Sequence, residues 1–524
     1  MMEHSNTTAE RKTGATKPNA PSRVHPPQKS RLVRSAFTPV RRREEDLPTP
    51  RETKRVLRRR IFVYGLLSLF FFFVIVLFIR DPGGVLFRMT GWESTLRWSG
   101  LIVYSSIVAL VLFLAILLFR YLCLINMAYL HTTRRTIENG HDHTFLPPVS
   151  VVVPAYNEEK LIEGTVLSLL AMDYPSFEII IVDDGSTDQT RAVASRLVGS
   201  YRDGAVEVKL VEKSNGGKAT ALNAGIQVSR YDFLLNVDGD SQLSPNTLRK
   251  TIRHFVEPRL GAIAGNVKVS NRDNVWTTLQ ALEYVEGLNM ARSAQSVVKL
   301  VNIIPGPLGL FRKQAILDAG WYSSDTFAED ADITLKIIRA GWRIEYEPEA
   351  QAYTEAPASV VDLLKQRYRW TRGIIQAVRK HGDLFFNPVI NFGGTIVMWS
   401  MAFESLIWPI MNIFANAYFI FVALVFDMNS YLVYWWLSLT ILDLIAALYC
   451  TAVEKEEIRL VFYSLFYRIF FILIIDVCKT IAAIEEYLGF GMNWGKLERK
   501  GTGTARRSSH SEAVPAEIMS NTPH

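Results

Sequence analysis

The sequence predicts an α/β domain held between membrane-spanning helices. Three observations carry that expectation. Two stretches, 61–79 and 101–119, contain no charged residue. Short β-branched runs alternate with helix-length segments across 149–380. Of the 524 residues 49% are hydrophobic, and mean hydropathy is +0.12, a high value for a soluble chain of this length. The apolar excess is concentrated in runs.

The N-terminal region, 1–60, holds 16 Lys/Arg and 6 Asp/Glu, a net of +10, so the remainder of a +7 chain carries about −3. The basic balance therefore belongs to this tail and gives no sign of a nucleic-acid partner. The tail is rich in Pro, Ser, Thr and Arg and poor in aliphatics, which predicts disorder. Six Lys/Arg between Arg51 and Arg60 adjoin the first uncharged run. The positive-inside rule puts that end in the cytoplasm, and contact with anionic lipid headgroups is expected. At roughly 1.5 Å per residue, each uncharged run approaches the ~30 Å hydrocarbon thickness. Residues 61–130 are accordingly expected to form two transmembrane helices, returning the chain to the cytoplasm. Cys123, Cys450 and Cys478 lie in or beside apolar runs with no metal-ligand or disulfide spacing, as buried thiols would.

After Pro147-Pro148, residues 148–380 read as a cytoplasmic α/β domain. The strand candidates are Ser150–Val153, Glu178–Val182, Val206–Val211 and Phe233–Val237. Helical segments such as Lys160–Ala171 and Thr187–Leu197 alternate with them. That alternation predicts a parallel sheet covered on both faces, with ligands at the carboxyl ends of the strands. Beyond residue 390 the chain turns apolar again, with candidate spans at about 403–426, 431–451 and 458–478. Asp443 and Arg468 lie inside two of these spans. A charge at that depth needs a partner, so an interhelical Asp443–Arg468 pair is expected. Three spans would leave the C-terminus outside, whereas Lys496, Arg499, Lys500, Arg506 and Arg507 favour inside. One of the last segments is therefore a candidate for an interfacial or re-entrant helix. Residues 489–524 read as a basic, disordered tail.

Six motifs carry chemistry. Pro154, Tyr156 and Glu158 follow the first strand. Asp183 and Asp184 end the second, where carboxylates can accept hydrogen bonds from a base ring or ribose, while Ser186 and Asp188 suit helix capping. Gly216-Gly217-Lys218 allows close backbone approach and offers a cation to phosphate, without P-loop spacing. In Asp238-Gly239-Asp240, alternate carboxylates around a glycine suit a hard divalent cation. Glu329, Asp330 and Asp332 open a helix ending near Gly341. A carboxylate there can take the proton of an attacking hydroxyl, and the base is assigned to Asp330, with Glu329 beside it. Asp332 suits the helix dipole. Gln366, Arg369 and Trp370 fall at i, i+3 and i+4 on one helical face. Trp offers a flat surface to a sugar ring and Arg a charge to a diphosphate, although an interfacial helix would also place Trp at the membrane boundary.

In order and spacing, the set VDDGSTD, DGD, AED and QRYRW resembles family 2 glycosyltransferases of the membrane-embedded, processive kind. These include the cellulose, hyaluronan, chitin and poly-N-acetylglucosamine synthases. Glu355-Ala356-Pro357 and Trp494-Gly495-Lys496 look most like the bacterial poly-β-1,6-N-acetylglucosamine subgroup. The resemblance covers 148–380 and, in outline, the flanking spans. It implies a GT-A, Rossmann-like fold and inverting transfer from a UDP-activated hexose, UDP-N-acetylglucosamine foremost, into a β-linked polysaccharide passed across the membrane. It further implies nucleotide-sugar binding by Pro154, Tyr156, Glu158, Asp183, Asp184, Lys218, Asp238 and Gly239. Mg²⁺ or Mn²⁺ would be held by Asp238 and Asp240, and Asp330 would be the base. Acceptor and diphosphate would be held by Gly306, Gln366, Arg369 and Trp370. Pro305-Gly306-Pro307 stands where many of that subgroup have Ser-Gly-Ala, which leaves the sugar open.

The expected partners are the UDP-sugar, a growing glycan, membrane lipids and a small accessory membrane subunit. The expected location is the inner (plasma) membrane. Two other readings remain: a single transfer to a lipid acceptor, since some lipid glucosyltransferases share the Gln-x-x-Arg-Trp pattern, and a catalytically inactive sugar-nucleotide-binding receptor or transporter.

Overall fold

The computed structural model describes residues 96–138, 144–389, 391–426 and 429–489. The expected first span, 61–79, and both tails lie outside the described residues. The domain is built on nine strands: β1 (Val149–Ala155), β2 (Phe177–Asp183), β3 (Gly199–Tyr201), β4 (Val206–Glu212), β5 (Phe233–Asn236), β6 (Gln242–Leu243), β7 (Leu260–Val269), β8 (Gly309–Arg312) and β9 (Arg343–Thr354). They lie in the order β3-β4-β2-β1-β5-β8-β7-β9-β6.

The four strands expected from sequence, β4, β2, β1 and β5, form one continuous parallel block. Their near-unbroken apolar character follows from burial on both faces. Val151 and Ile179 pack into one layer, while Val152 and Ile180 pack into the other. The expectation of a wholly parallel sheet is corrected. β8 runs antiparallel to both β5 and β7, and the edge strands β3 and β6 are antiparallel to their neighbours. The reason for β8 is the path of the chain. The turn at Pro305–Leu308 delivers it at the site end of the sheet, so Gly309 starts β8 opposite Asn236, where β5 finishes.

Four helices are long and apolar enough to cross a membrane: Val111–Arg135, Phe392–Phe421, Leu432–Glu454 and Leu460–Leu488. The chain is a membrane protein. The first of these belongs to a longer helix, Leu96–Glu138, that contains the expected run at 101–119. Its far end is tied to the α/β domain, with Arg135 2.6 Å from Glu347 and Arg134 donating to the Val297 carbonyl at 3.1 Å. The last helix is tied to that domain at both ends. Just before it, Glu456 pairs with Lys268 at 2.9 Å and Arg272 at 2.7 Å, and near its end Glu486 pairs with Arg372 at 2.8 Å.

The expected Asp443–Arg468 pair is present, with Arg468 Nε donating to Asp443 Oδ2 at 2.8 Å. Tyr121 joins it, donating to Asp443 Oδ1 at 2.7 Å and accepting from Arg468 at 2.7 Å. The Tyr121 hydroxyl also lies 3.3 Å from Glu286, whose other oxygen is buried with no hydrogen-bond partner. Three π-helical segments bring polar groups to this region. Glu286 lies in Glu283–Asn289, Glu404 in Phe403–Ile407 and Arg468 in Tyr467–Ile472. Glu404 pairs with Arg120, the neighbour of Tyr121, at 3.3 Å.

Candidate active site

The carboxyl ends of β1, β2 and β5 meet at one point. Pro154 near the end of β1 is in register with Val182 of β2. A side chain at Gly239 would meet the Pro154 carbonyl at 3.0 Å and Glu158 Cγ at 3.6 Å. Glycine is therefore needed for the Asp238-Gly239-Asp240 turn to lie against the first strand's loop. Tyr156 stands out from this loop and is 41% exposed.

Asp183 and Asp184 are both buried. Asp183 accepts from the Ser186 amide at 3.3 Å. Asp184 is heavily engaged: it accepts from the Gly216 amide at 3.0 Å and the Gly217 amide at 2.7 Å, and pairs with Lys213 at 2.5 Å. It thus holds the glycine loop that starts the helix Lys218–Val228. Gly217 adopts φ 86°, a left-handed conformation that favours glycine.

That loop aims Lys218 across the cleft. Its Nζ lies 2.6 Å from Asp238 and 2.8 Å from Glu329, joining the Gly216-Gly217-Lys218 motif, the acidic turn and the helix that begins at Glu329. Burial disfavours its charge, but Asp238 and Glu329 hold the ammonium protonated. Gly306 closes the site from above: a Cβ there would meet Lys218 Nζ at 2.6 Å and Asp238 Oδ2 at 3.0 Å. Lys218, Asp238, Gly306, Glu329 and Asp330 line one cavity, floored by Asn236, Phe311 and Tyr322. Asn236 and Tyr322 were not expected here. Asn236 ends an apolar strand and donates to the Tyr322 hydroxyl at 2.8 Å, a contact between residues 86 apart in sequence.

The helix Glu329–Arg339 places Glu329 and Asp330 at its first turn. Burial, then the neighbouring Glu329 charge, pushes the Asp330 carboxyl up to about 6, against the pull of Lys218. Burial also acts to raise Glu329, but Lys218 holds it below the usual carboxylate range. The two adjacent acids are thereby set apart, one ionised and one tuned toward proton transfer. Asp332 is more than a dipole partner. It is fully buried and paired with Lys336 at 3.0 Å, Lys380 at 2.9 Å and His381 at 2.9 Å. Burial opposes its charge, yet His381 and the lysines hold it well below the usual range.

The helix Val360–Lys380 carries Gln366, Arg369 and Trp370. It packs directly on the start of the helix Glu329–Arg339, where a Cβ at Gly373 would fall 2.5 Å from the Ala328 nitrogen. Gln376 accepts from the Phe327 amide at 3.0 Å. Arg369 acts electrostatically on Glu329. Gln366 is buried and turned toward Arg367, while Trp370 is partly buried against the cluster formed by Leu279, Leu282 and Phe471.

Asp238 and Asp240 supply two carboxylates at a strand end, with Lys218 already holding positive charge against Asp238. The donor set fits a hard divalent cation that takes its other ligands from diphosphate and water. Among the described residues no group of three or more His, Cys, Asp or Glu is arranged to hold a metal alone.

Residues 147–373 match the model of the family described as glycosyltransferase like family 2. A poly-β-1,6-N-acetyl-D-glucosamine synthase of Staphylococcus aureus (strain COL) is 33% identical over 231 residues, which are 44% of this chain and 55% of that protein. The synthase of the same name from Staphylococcus epidermidis is 31% identical over 233 residues, 44% of this chain and 56% of that protein. The chain thus spans about half the length of the curated relatives it matches. Among solved structures, a mannosyltransferase from Pyrobaculum calidifontis in complex with GDP-Man and Mn²⁺ is 22% identical, with a TM-score of 0.49, covering 70% of this chain and 96% of that one. Residues 147–373, a mixed α/β sheet set among apolar helices, thus match a glycosyltransferase family 2 domain.

Proposed function

We propose that the chain is an inverting hexosyltransferase that polymerises a UDP-activated hexose into a β-linked polysaccharide and passes it through the membrane. UDP-N-acetylglucosamine is the first donor to test, because the similar staphylococcal proteins bear the name of N-acetylglucosamine polymer synthases. The observation that carries the reading is Asp330: a buried carboxyl, raised to about 6, opposite Lys218 and Asp238 and beneath the Gln366–Trp370 helix.

In this reading Asp183 and Asp184 border the nucleotide site, together with Pro154, Tyr156 and Glu158. Asp238 and Asp240 would hold Mg²⁺ or Mn²⁺, which would supply positive charge against the leaving diphosphate. Lys218 shifts from Asp238 toward phosphate. The acceptor sugar lies on Trp370, with Gln366 beside it and Arg369 facing the diphosphate. Asp330 takes the acceptor hydroxyl's proton as that oxygen attacks the anomeric carbon from the face opposite UDP, so an α-linked donor gives a β-linked product. Glu329 stays ionised beside it, holding Lys218.

The catalytic domain is assigned to the cytoplasmic face of the plasma membrane, in keeping with the basic segment at Arg51–Arg60. The last apolar helix, tied at both ends to that domain, is assigned to lie along the membrane rather than across it. Protein in nanodiscs, supplied with Mg²⁺ or Mn²⁺ and each radiolabelled UDP-sugar, tests the proposal. A high-molecular-weight product cut by a linkage-specific hydrolase supports it. One sugar on lipid selects the single-transfer reading, and UDP binding without transfer selects the inactive one.

A further inference from the structure

Arg367 lies inside the Gln-Arg-Tyr-Arg-Trp motif but off the face that Gln366, Arg369 and Trp370 share. It is 2% exposed. One guanidinium touches both of the side chains assigned to the acceptor: its Nη1 donates to Gln366 Oε1 at 2.5 Å, and its central carbon Cζ lies over the Trp370 ring, 4.3 Å from the ring centre. The group is itself fixed from another element. Its Nε donates to Glu283 Oε1 at 3.3 Å, and Nη2 pairs with Glu283 Oε2.

This geometry has a chemical consequence at each contact. A guanidinium offers donors only, so Gln366 must present its oxygen inward and turn its amide NH₂ the other way. On the ring, a flat cation held against one part of the indole restrains its tilt. Neither restraint comes from the helix Val360–Lys380 alone. Both depend on Glu283, which opens the π-helical segment Glu283–Asn289.

We propose that Arg367, anchored by Glu283, is a positioning residue for the acceptor: it orients the Gln366 amide and backs the Trp370 ring. The inference rests on the glycosyltransferase reading above. The chemistry held in place is that of a sugar, with an amide for a hydroxyl and an indole for the ring face.

The test uses the full chain in nanodiscs, UDP-N-acetylglucosamine as donor and a β-linked N-acetylglucosamine tetramer as acceptor probe. Arg367→Lys keeps the charge facing Glu283 but loses the fork and the flat face. It is expected to raise the acceptor KM by about tenfold while leaving UDP affinity and Tm near wild type. The double variant Arg367→Met/Glu283→Leu removes the ion pair without leaving a lone buried charge, and is expected to fold and to show the same acceptor defect. Wild-type acceptor KM in both folded variants overturns the proposal. So does a loss of donor and acceptor binding together that tracks a fall in Tm. Wild-type protein that transfers no sugar from any donor overturns the underlying reading instead, whatever the variants do.

Discussion

Gly373→Ala tests how closely the acceptor-bearing helix must approach the base. The added Cβ would fall 2.5 Å from the Ala328 nitrogen, 2.6 Å from Ala328 Cβ and 2.8 Å from the Phe327 carbonyl carbon. Ordinary contact begins near 3.5 Å, so the helix Val360–Lys380 must retreat by about 1 Å. Backbone atoms form most of the obstruction, so side-chain repacking offers no relief. Overpacking of this kind costs about 1–3 kcal/mol of stability. The retreat also displaces Arg369 and Trp370 from Asp330, which lies two residues after Ala328, and a 1 Å misplacement can cost about a hundredfold in rate. The expected result is a lower Tm and kcat reduced by one to two orders of magnitude, with UDP affinity unchanged, because the glycine loop and Asp184 lie elsewhere. Initial-rate kinetics with UDP calorimetry and thermal unfolding measure all three. Wild-type kcat and Tm in Gly373→Ala would refute the close-approach argument.

Asp330→Asn is expected to abolish transfer while sparing UDP binding, and substantial residual turnover would remove Asp330 from the role of base. Since the carboxylate is the active form, a carboxyl raised to about 6 predicts a rate that falls as pH drops through 6, and a wild-type rate that stays flat across that range contradicts the assignment. Lys218→Gln removes a charge that lowers the Asp330 carboxyl, so the acidic limb should move to higher pH; an unmoved or lowered limb contradicts the assignment. Asp443→Asn leaves Arg468 buried without its carboxylate and is expected to cost about 3–5 kcal/mol in unfolding measurements, whereas Asp443→Asn/Arg468→Met should recover much of the loss. Chelation of divalent cations should stop transfer and be reversed by Mg²⁺ or Mn²⁺.

The legible parts of this chain are those whose cause is local. β1, β2, β4 and β5 were visible because strands buried on both faces must be apolar at every position, and their ends fall within a few residues of expectation. The Asp443–Arg468 pair was legible for the opposite reason: a charge within an apolar span demands an answer, and few candidates were near. β9 hid because its alternation carries Glu345, Glu347 and Glu349. Glu347 is fully buried only because Arg135, Arg253 and His254 reach it from distant parts of the chain. β7 and β8 are interrupted by Gly261, Gly265 and Gly309, whose missing side chains make room for Trp342, Leu308 and Phe311. In the site, the carboxylates were read from type and spacing. Asn236, Tyr322 and Arg367 were not, since each acquires its role from a partner far off in sequence. Nothing in the sequence marks Arg367 apart from the other basic residue of its motif, because its burial is explained only by the Glu283 contact 84 residues away.

The π-helical turns between Glu283 and Asn289 and between Tyr467 and Ile472 fix the phase of the helices they interrupt. A π turn accommodates one more residue than an α turn, so the residues after it are rotated by about 100° from where an uninterrupted helix would carry them. Glu283 faces the Gln366–Trp370 helix, and three residues later Glu286 faces Tyr121. One short segment thus addresses two directions, the Gln366–Trp370 helix and the apolar helix that carries Tyr121. Removing a single residue from it would tend to restore the α phase and swing one of those carboxylates off its target. The segment sets the angular register between chemistry and bilayer, and its length is as much a part of the site as any side chain in it.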